Sequence, residues 1–181
     1  KQVLDNLARL ELDNFLISGS TIELPQIKNP EVTIILVLYN RAELTLKCLS
    51  SILSNKFKSY QIIIVDNAST DKTKLLLERI NGAKIISNSE NNHFLLACNQ
   101  ASQEAVGKYL LFLNNDAQIL GDSIHAAIKT IQTSDNIGAV GGKIILPDGT
   151  LQEAGSIIWQ DGSCLGYGRG DSPYAPQYMF K

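Results

Sequence analysis

The amino-acid sequence predicts an α/β fold in which helices flank a mostly parallel central sheet, with a β-hairpin region towards the C-terminus. Runs of β-branched and apolar residues alternate with amphipathic stretches of about ten to fifteen residues, a pattern typical of strand–helix–strand units. The first two apolar runs are nearly continuous, as expected of strands that are covered on both faces. Polar residues cluster where the runs end.

Composition and charge exclude several classes of protein. The chain has 181 residues, of which 44% are hydrophobic and 19% charged, as in an ordinary globular domain. Its net charge of −2 supplies no basic field for nucleic acid. No apolar run approaches the roughly 18 residues of a membrane-spanning helix. Cys48, Cys98 and Cys164 lack the spacing of zinc ligands and are predicted to be buried free thiols.

Residues 1–30 are predicted to form a short amphipathic helix followed by an extended arm. Apolar residues first recur near helical spacing, and helix-breaking residues then follow: Val3, Leu4, Leu7 and Leu10, then Gly19, Pro25 and Pro30. We expect this segment to dock on the main body of the chain.

The core begins with two predicted strands, Val32–Leu38 and Tyr60–Val65, joined by a helix. Asn40 followed by Glu43 predicts the N-cap pair of that helix. Its apolar stripe consists of Leu46, Leu49, Ile52 and Leu53. The second strand ends at Asp66.

The alternation continues to residue 113. Ser69 or Thr70 is predicted to cap a helix that carries Leu76, Leu77 and Ile80, and a short strand follows at Ala83–Ser87. The next helix is predicted from the helical spacing of Phe94, Cys98, Ala101 and Ala105. A further strand is predicted from the apolar run Tyr109–Leu113.

The remaining third of the chain has a different texture. Ile124, Ile128 and Ile131 predict one more helix, and 137–146 one more strand. The sequence Pro147-Asp148-Gly149-Thr150 then predicts the turn of a hairpin. Residues 161–181 are rich in glycine and proline and are predicted to form a loop.

Polar side chains follow four predicted strands, and the carboxyl ends of parallel strands share one edge of a sheet, where ligands bind. These segments are Tyr39–Arg41, Asp66–Asp71, Asn88–Asn92 and Asn114–Asp116. Asn114 and Asp116 are two residues apart, so both can face one ligand. One carboxylate with an amide is enough to hold a magnesium-like ion whose shell is completed by phosphates and water.

Three common catalytic or phosphate-binding motifs are absent. No GxGxxG follows the first strand, no Walker sequence is present, and GxSxG does not occur. A bound diphosphate would therefore have to be neutralised by a metal ion, by basic side chains or by helix N-termini.

Four segments in this order and spacing resemble the family 2 glycosyltransferases: Ile34–Arg41, Ile64–Asp71, Asn91–Phe94 with Asn99, and Leu111–Asp116. Pro147–Gly155 is similar to the bacterial branch that builds O-antigen and other surface polysaccharides, which includes rhamnosyl-type transferases. The resemblance implies a GT-A fold over residues 31–160, a UDP- or dTDP-sugar donor, a divalent cation (Mn²⁺ or Mg²⁺), a polysaccharide or lipid-linked acceptor, and inversion at the anomeric carbon.

The resemblance also implies the roles of individual residues. Tyr39 and Asn40 would line the base and ribose pocket, Asp66 would bind the base, and Arg41 could approach the diphosphate. Asn114 and Asp116 fall on the metal-binding Asp-x-Asp motif, with Asn114 in place of the first aspartate. The full nucleotide-sugar-binding prediction comprises Tyr39, Asn40, Arg41, Asp66, Asn67, Asn91, Asn114 and Asn115, and the metal prediction comprises Asp116 and Asn114.

The general base of the family belongs to a downstream acidic segment that often contains Glu-Asp, and this chain has no such dipeptide. We therefore expect a donor-binding half whose 161–181 loop leads towards a missing acceptor half, and a base outside the chain. The expected location is cytoplasmic, peripheral at the inner face of the plasma membrane. Two alternatives stay open here: a sugar nucleotidyltransferase, although its glycine-rich N-terminal loop is missing, and a non-catalytic module that binds nucleotide sugars.

Overall fold

The computed structural model describes residues 2–179, so Lys1, Phe180 and Lys181, at the ends of the predicted arm and loop, lie outside the described residues. The described residues fall into two compact units that divide between Asp122 and Ser123. This division lies within the predicted 31–160 domain, and the three-part organisation of the chain stays a prediction.

The first unit is an α/β layer structure. In chain order it contains α1 (Gln2–Ile17), β1 (Ile22–Glu23), β2 (Val32–Leu38), α2 (Ala42–Ser54), β3 (Tyr60–Asn67), α3 (Thr73–Leu77), β4 (Ile80–Asn81), β5 (Lys84–Asn88), α4 (His93–Ser102) and β6 (Tyr109–Asn114). A four-stranded sheet has the order β5-β3-β2-β6, and all of its neighbouring strands are parallel. The predicted mostly parallel sheet is therefore confirmed.

Strands β2 and β3 form the centre of the sheet because they are rich in apolar and β-branched residues, and both are buried along almost their whole length. On one face, Ile35, Ile63 and Val65 pack against Ala97 and Ala101 of α4. The small side chains of α4 let the helix lie close to the sheet, so the loop that precedes α4 is held near the carboxyl ends of β2 and β3.

The N-terminal helix forms as predicted, but it docks through a different face. Ala8 and Leu12 are its buried residues, whereas the predicted apolar stripe of Val3, Leu4, Leu7 and Leu10 is exposed. Helix α1 packs on α2. Ion pairs also join it to the core, and they are Glu11–Lys47, Asp5–Arg41 and Asp13–Lys72.

Two predicted N-caps are wrong. Helix α2 begins at Ala42 after Arg41, and α3 begins at Thr73, beyond both Ser69 and Thr70. In each case the Asp71 carboxylate supplies the hydrogen bond to the first helical amide. The Asn40 side chain is engaged elsewhere, as described below.

Ile80 lies in a strand rather than in the predicted helix. It pairs with Ile22 of β1 in a small parallel sheet and is buried there. Tertiary pairing with the N-terminal arm therefore overrides the helical spacing on which the prediction rested.

The second unit consists of a helix and two hairpins. It contains α5 (Ser123–Ile131), β7 (Ile144–Ile145), β8 (Leu151–Glu153), β9 (Ser156–Ile158), β10 (Cys164–Gly166) and a 3₁₀ turn at Pro176–Tyr178. The predicted hairpin is confirmed as the antiparallel pair β7–β8, with Gly149 at φ 87° in its turn. The hydrophobic core of the second unit is formed by Leu151, Ala154 and Tyr178.

The second unit also departs from the prediction in three places. The predicted strand over residues 137–146 is reduced to Ile144–Ile145, because the glycines at 138, 141 and 142 weaken strand formation. The predicted loop over 161–181 contains β10, which pairs with β9, and the 3₁₀ turn. The prediction that the cysteines are buried is confirmed for Cys48 and Cys98 but is wrong for Cys164, which is exposed.

Residues 2–179 contain no helix that combines the length and the apolar character needed to cross a bilayer.

Candidate functional site

A cavity of about 300 Å³ lies at the carboxyl ends of β2, β3 and β6, next to the start of α4. This is the edge of a parallel sheet at which ligands bind. Its lining is formed by Val37, Tyr39, Asn67, Asn91, His93, Phe94, Asn114, Asn115 and Asp116. The predicted site residues Tyr39, Asn67, Asn91, Asn114, Asn115 and Asp116 are thus brought together, whereas Asn40, Arg41 and Asp66 are not among the lining residues.

Tyr39 offers its ring to this cavity. It follows the last residue of β2, and 53% of its surface is exposed, although β2 itself is almost fully buried. An exposed aromatic ring at a cavity is suited to stacking on a planar ligand group.

Asn114 and Asp116 are exposed at the end of β6 and both line the cavity. A turn follows directly, because the amide of Ala117 donates to the Asn114 carbonyl at 3.1 Å. The part of the chain that the structure describes contains no group of three or more His, Cys, Asp or Glu side chains arranged to hold a metal by themselves. The pair fits instead a Mg²⁺-like ion that takes one carboxylate from the protein and further oxygens from a phosphate ligand.

The turn after β2 has an unusual backbone. Asn40 and Arg41 both have left-handed φ angles, 62° and 64°. Asparagine tolerates this conformation, but it is costly for a residue such as arginine. The Asn40 amide donates to Ser69 Oγ at 2.8 Å, and Asn40 Oδ1 accepts the amides of Thr70 and Asp71. These bonds tie the loop after β2 to the loop after β3.

Asp71 is a central residue of this region that the sequence did not single out. Its Oδ2 accepts the Ala42 amide at 3.0 Å, and its Oδ1 accepts the amide and the hydroxyl of Thr73. Burial acts to raise the pKa of the Asp71 carboxyl, but the hydrogen bonds from Thr73 and Ala42 outweigh it and lower this pKa. An aspartate two residues before a helical threonine was the available signal, although nothing local indicated that it also caps α2.

Asn67 belongs to the floor of the cavity rather than to its open surface. Only 1% of it is exposed. Its Nδ2 donates to the His93 carbonyl at 3.2 Å, and its Oδ1 accepts from Asn88 Nδ2 at 2.8 Å. The predicted binding residue Asn91 accepts the His93 amide through its Oδ1. Both asparagines therefore shape the entry to α4.

Asp66 and Arg41 make contacts outside the cavity lining. Asp66 is buried, and its Oδ1 accepts the Ser69 amide at 3.1 Å. Arg41 Nε donates to Glu43 Oε1 at 3.0 Å. The left-handed turn directs the arginine towards α1 and α2, since it also lies 3.9 Å from Asp5.

The polar side of α2 lies beneath the end of β6. Asn115 Nδ2 donates to the Asn40 carbonyl and to Thr45 Oγ1, so the nitrogen of this predicted binding residue is already engaged. Cys48 Sγ donates to the Asn114 carbonyl at 3.7 Å. Burial, and secondarily the negative charge of Asp116, raises the pKa of the Cys48 thiol to about 12, so it remains a hydrogen-bond donor at neutral pH.

Val37, His93 and Phe94 line the cavity although the sequence did not single them out as ligand-binding residues. Val37 reads as a core position of its strand, and no signal distinguishes it. Of the predicted apolar stripe of α4, Cys98 and Ala101 are buried, whereas 49% of Phe94 is exposed and Ala97 is buried instead. His93 begins α4 with a left-handed φ of 57°.

Comparison with known proteins agrees with this geometry. The family model described as glycosyl transferase family 2 matches residues 33–165. The O-antigen biosynthesis protein RfbC of Myxococcus xanthus is 30% identical over 137 residues, which are 74% of this chain and 11% of that protein. Glycosyltransferase AglE of Haloferax volcanii is 28% identical over 121 residues, which are 64% of this chain and 40% of that protein. The chain thus spans less than half the length of these relatives.

Solved structures share the fold. A mannosyltransferase from Pyrobaculum calidifontis, in complex with GDP-Man and Mn²⁺, has a TM-score of 0.57 and 21% identity, over 81% of this chain and 46% of that one. Staphylococcus aureus TarS (1–349) has a TM-score of 0.51 and 20% identity, over 64% of this chain and 39% of that one. The predicted GT-A fold is confirmed. Because the family model matches residues 33–165, well over half of the sequence, this chain belongs to glycosyl transferase family 2.

Proposed function

We propose that this chain forms the donor site of an inverting, cation-assisted glycosyltransferase that moves a sugar from a UDP- or dTDP-sugar to a polysaccharide or lipid-linked acceptor. The observation that carries the proposal is the cavity at the carboxyl ends of the strands, where Tyr39, Asn114 and Asp116 meet. Relatives that include an O-antigen biosynthesis protein and a poly-β-1,6-N-acetyl-D-glucosamine synthase of S. aureus support a polysaccharide product.

The proposed roles follow from exposure and hydrogen bonding. Tyr39 would stack on the nucleobase, because its ring is exposed. Asp66 is buried and does not line the cavity, so its proposed contact with the edge of the base rests on the family resemblance and would use Oδ2, since the Ser69 amide already occupies Oδ1. Asn67 and Asn115 would shape the cavity, because their side-chain nitrogens are bonded within the protein.

Asn114 and Asp116 are proposed to hold Mn²⁺ or Mg²⁺ together with the donor diphosphate. The solved mannosyltransferase with GDP-Man and Mn²⁺ supports this assignment at the level of the shared fold. A bound cation would neutralise the charge that develops on the departing nucleoside diphosphate. Residues 2–179 contain no glycine-rich phosphate loop at this edge of the sheet. A cation held by the Asp116 carboxylate would therefore be needed to neutralise the diphosphate.

The acceptor hydroxyl must lose a proton when it attacks the anomeric carbon. Asp116 is the carboxylate among the residues that line the cavity, and a cation ligand is poorly suited to accept that proton. We therefore assign the base to a position outside this chain. The proposed location is cytoplasmic and peripheral at the inner face of the plasma membrane, since a lipid-linked acceptor is confined to a membrane surface.

Donor binding is tested by the thermal stability of the full-length protein with UDP-, dTDP- and GDP-sugars, each with and without Mn²⁺. We expect a donor to raise the melting temperature only when the cation is present, and Asp116→Asn to abolish the increase. Asp122→Asn is the matched control, since Asp122 lies six residues after Asp116 and does not line the cavity. An equal, cation-independent increase in wild type and Asp116→Asn would refute the proposed cation site.

Turnover separates the enzymatic alternatives. Release of a nucleoside diphosphate from the donor supports glycosyl transfer, whereas pyrophosphate released from a nucleoside triphosphate and a sugar phosphate would indicate a nucleotidyltransferase. Cation-dependent binding without either product would indicate a non-catalytic module. Membership of the glycosyltransferase family favours the first outcome.

A further inference from the structure

One side of α2, continued by the C-cap residue Asn55, carries a row of four polar side chains. They are Thr45, Cys48, Ser51 and Asn55, and we refer to them as the α2 polar stripe. Their spacing of three, three and four residues places them along one side of the helix. Thr45 and Cys48 are fully buried, and Asn55 is almost fully buried.

Every member of the α2 polar stripe bonds to the segment 114–121, which follows β6. Cys48 donates to the Asn114 carbonyl, and Thr45 Oγ1 accepts from Asn115 Nδ2 at 3.0 Å. Ser51 Oγ accepts the Ile119 amide at 2.9 Å. Asn55 Nδ2 donates to the Gly121 carbonyl at 2.7 Å.

This segment has little regular structure of its own. Residues 115–122 contain neither helix nor strand, and the amide of Ala117 donates to the Asn114 carbonyl in a turn. Backbone polar groups that are removed from water need partners. The stripe supplies such partners on both sides of Asp116, at residues 114 and 115 before it and at residues 119 and 121 after it.

We propose that the α2 polar stripe positions the segment 114–121 so that Asn114 and Asp116 present their oxygens to the cation. This inference rests on the proposed function, because it concerns the same cation site. Thr45, Cys48, Ser51 and Asn55 are positioning residues, since they contact the segment and not the cavity. Buried polar side chains are costly unless they are bonded, so an apolar face would suffice if packing alone were required of α2.

The test compares adjacent serines of α2 in the full-length protein. Ser51→Ala removes the acceptor of the Ile119 amide, whereas Ser50→Ala removes a hydroxyl that bonds only to the Leu46 carbonyl of its own helix. The measurements are the Mn²⁺ concentration that gives half of the donor-induced melting shift, the melting temperature without ligand, and the KM and kcat of turnover.

We expect Ser51→Ala to raise the half-saturating Mn²⁺ concentration about three- to tenfold, the effect of losing one hydrogen bond. Ser50→Ala should leave it unchanged. Cys48→Ala, which removes the thiol donor to the Asn114 carbonyl, should raise it in the same direction as Ser51→Ala. Thr45→Val provides a further variant of nearly unchanged shape.

The outcomes separate this inference from the proposed function. If wild type itself shows no Mn²⁺-dependent donor binding, the proposed cation site fails and the inference fails with it. If wild type binds with Mn²⁺ but Ser51→Ala, Cys48→Ala and Thr45→Val match Ser50→Ala in Mn²⁺ dependence, the inference alone is overturned. A lower melting temperature with unchanged Mn²⁺ dependence also overturns it, because that pattern indicates a purely structural role.

Discussion

Replacement of Asp71 should destabilise the protein more than replacement of any ordinary surface carboxylate. Asp71→Ala removes the acceptor of the Ala42 amide at the start of α2 and of the Thr73 amide at the start of α3. Loss of one N-cap costs about 1 kcal/mol, so loss of two should lower the free energy of unfolding by about 2 kcal/mol. For a protein of this size this corresponds to a decrease of about 4–8 °C in melting temperature.

The chain contains a matched control in its first hairpin. Asp148 accepts the amide and the hydroxyl of Thr150, as Asp71 does with Thr73, but it caps no helix. Asp148→Ala should therefore change the free energy of unfolding by no more than about 0.5 kcal/mol. Urea unfolding followed by circular dichroism measures both variants. Equal losses in the two variants would refute the double-cap reasoning.

The effect of Asp71 should also depend on pH. Its hydrogen bonds hold the folded-state pKa below the ordinary value of 3.8, and the carboxylate therefore stabilises the folded state fully above that value. The stabilisation is lost as the pH falls through the folded-state pKa. The difference between wild type and Asp71→Ala should thus be constant from about pH 5 to 7 and shrink below pH 4. A difference that grows on acidification would contradict this sign.

Three further predictions concern the backbone and the thiols. Gly107→Ala should lower the free energy of unfolding by about 1–3 kcal/mol, because the new Cβ would lie 2.4 Å from the Thr33 backbone nitrogen. Gly141→Ala is the control: its new Cβ would have no atom within 4 Å, so urea unfolding should show almost no change in the free energy of unfolding. Ala68→Gly should stabilise the protein by about 0.5–1 kcal/mol, since Ala68 has a left-handed φ of 59°, and Ala83→Gly is the control that should not. At pH 8 an alkylating reagent should modify the exposed Cys164 but not Cys48, whose pKa is raised to about 12. Mass spectrometry of the Cys164→Ser variant should therefore find no rapidly labelled site. Rapid labelling of Cys48 would show that its burial is wrong.

The central sheet could be predicted from sequence because its evidence is local. The strands β2 and β3 are continuous apolar runs, and their observed bounds agree with the prediction to within two residues. The N-caps could not be predicted in this way. The side chain that caps α2 lies 29 residues from the first helical amide, and no local pattern connects the two.

The candidate site likewise contains features that follow from local sequence and topology and others that depend on contacts between distant residues. Strand ends in a parallel sheet meet at one edge, so the convergence of Tyr39, Asn114 and Asp116 on one cavity follows from topology. Arg41 does not line the cavity, because the left-handed turn before α2 directs it towards Glu43. The engagement of Asn67 by His93 and Asn88 depends on contacts between distant elements, which residue types alone do not reveal. The binding and metal roles of the predicted residues stay predictions.

The consecutive left-handed residues Asn40 and Arg41 have a consequence for engineering this protein. The left-handed conformation costs about 1–2 kcal/mol at Arg41 and less at Asn40, because asparagine tolerates it better than most residues, and the Asn40 carbonyl holds Asn115 at the candidate site. Glycine at Arg41 would release that cost and loosen the turn, whereas glycine at Asn40 would also remove the Oδ1 acceptor of the Thr70 and Asp71 amides. Directed evolution for heat resistance is therefore expected to reach this turn early and to exchange ligand affinity for thermostability.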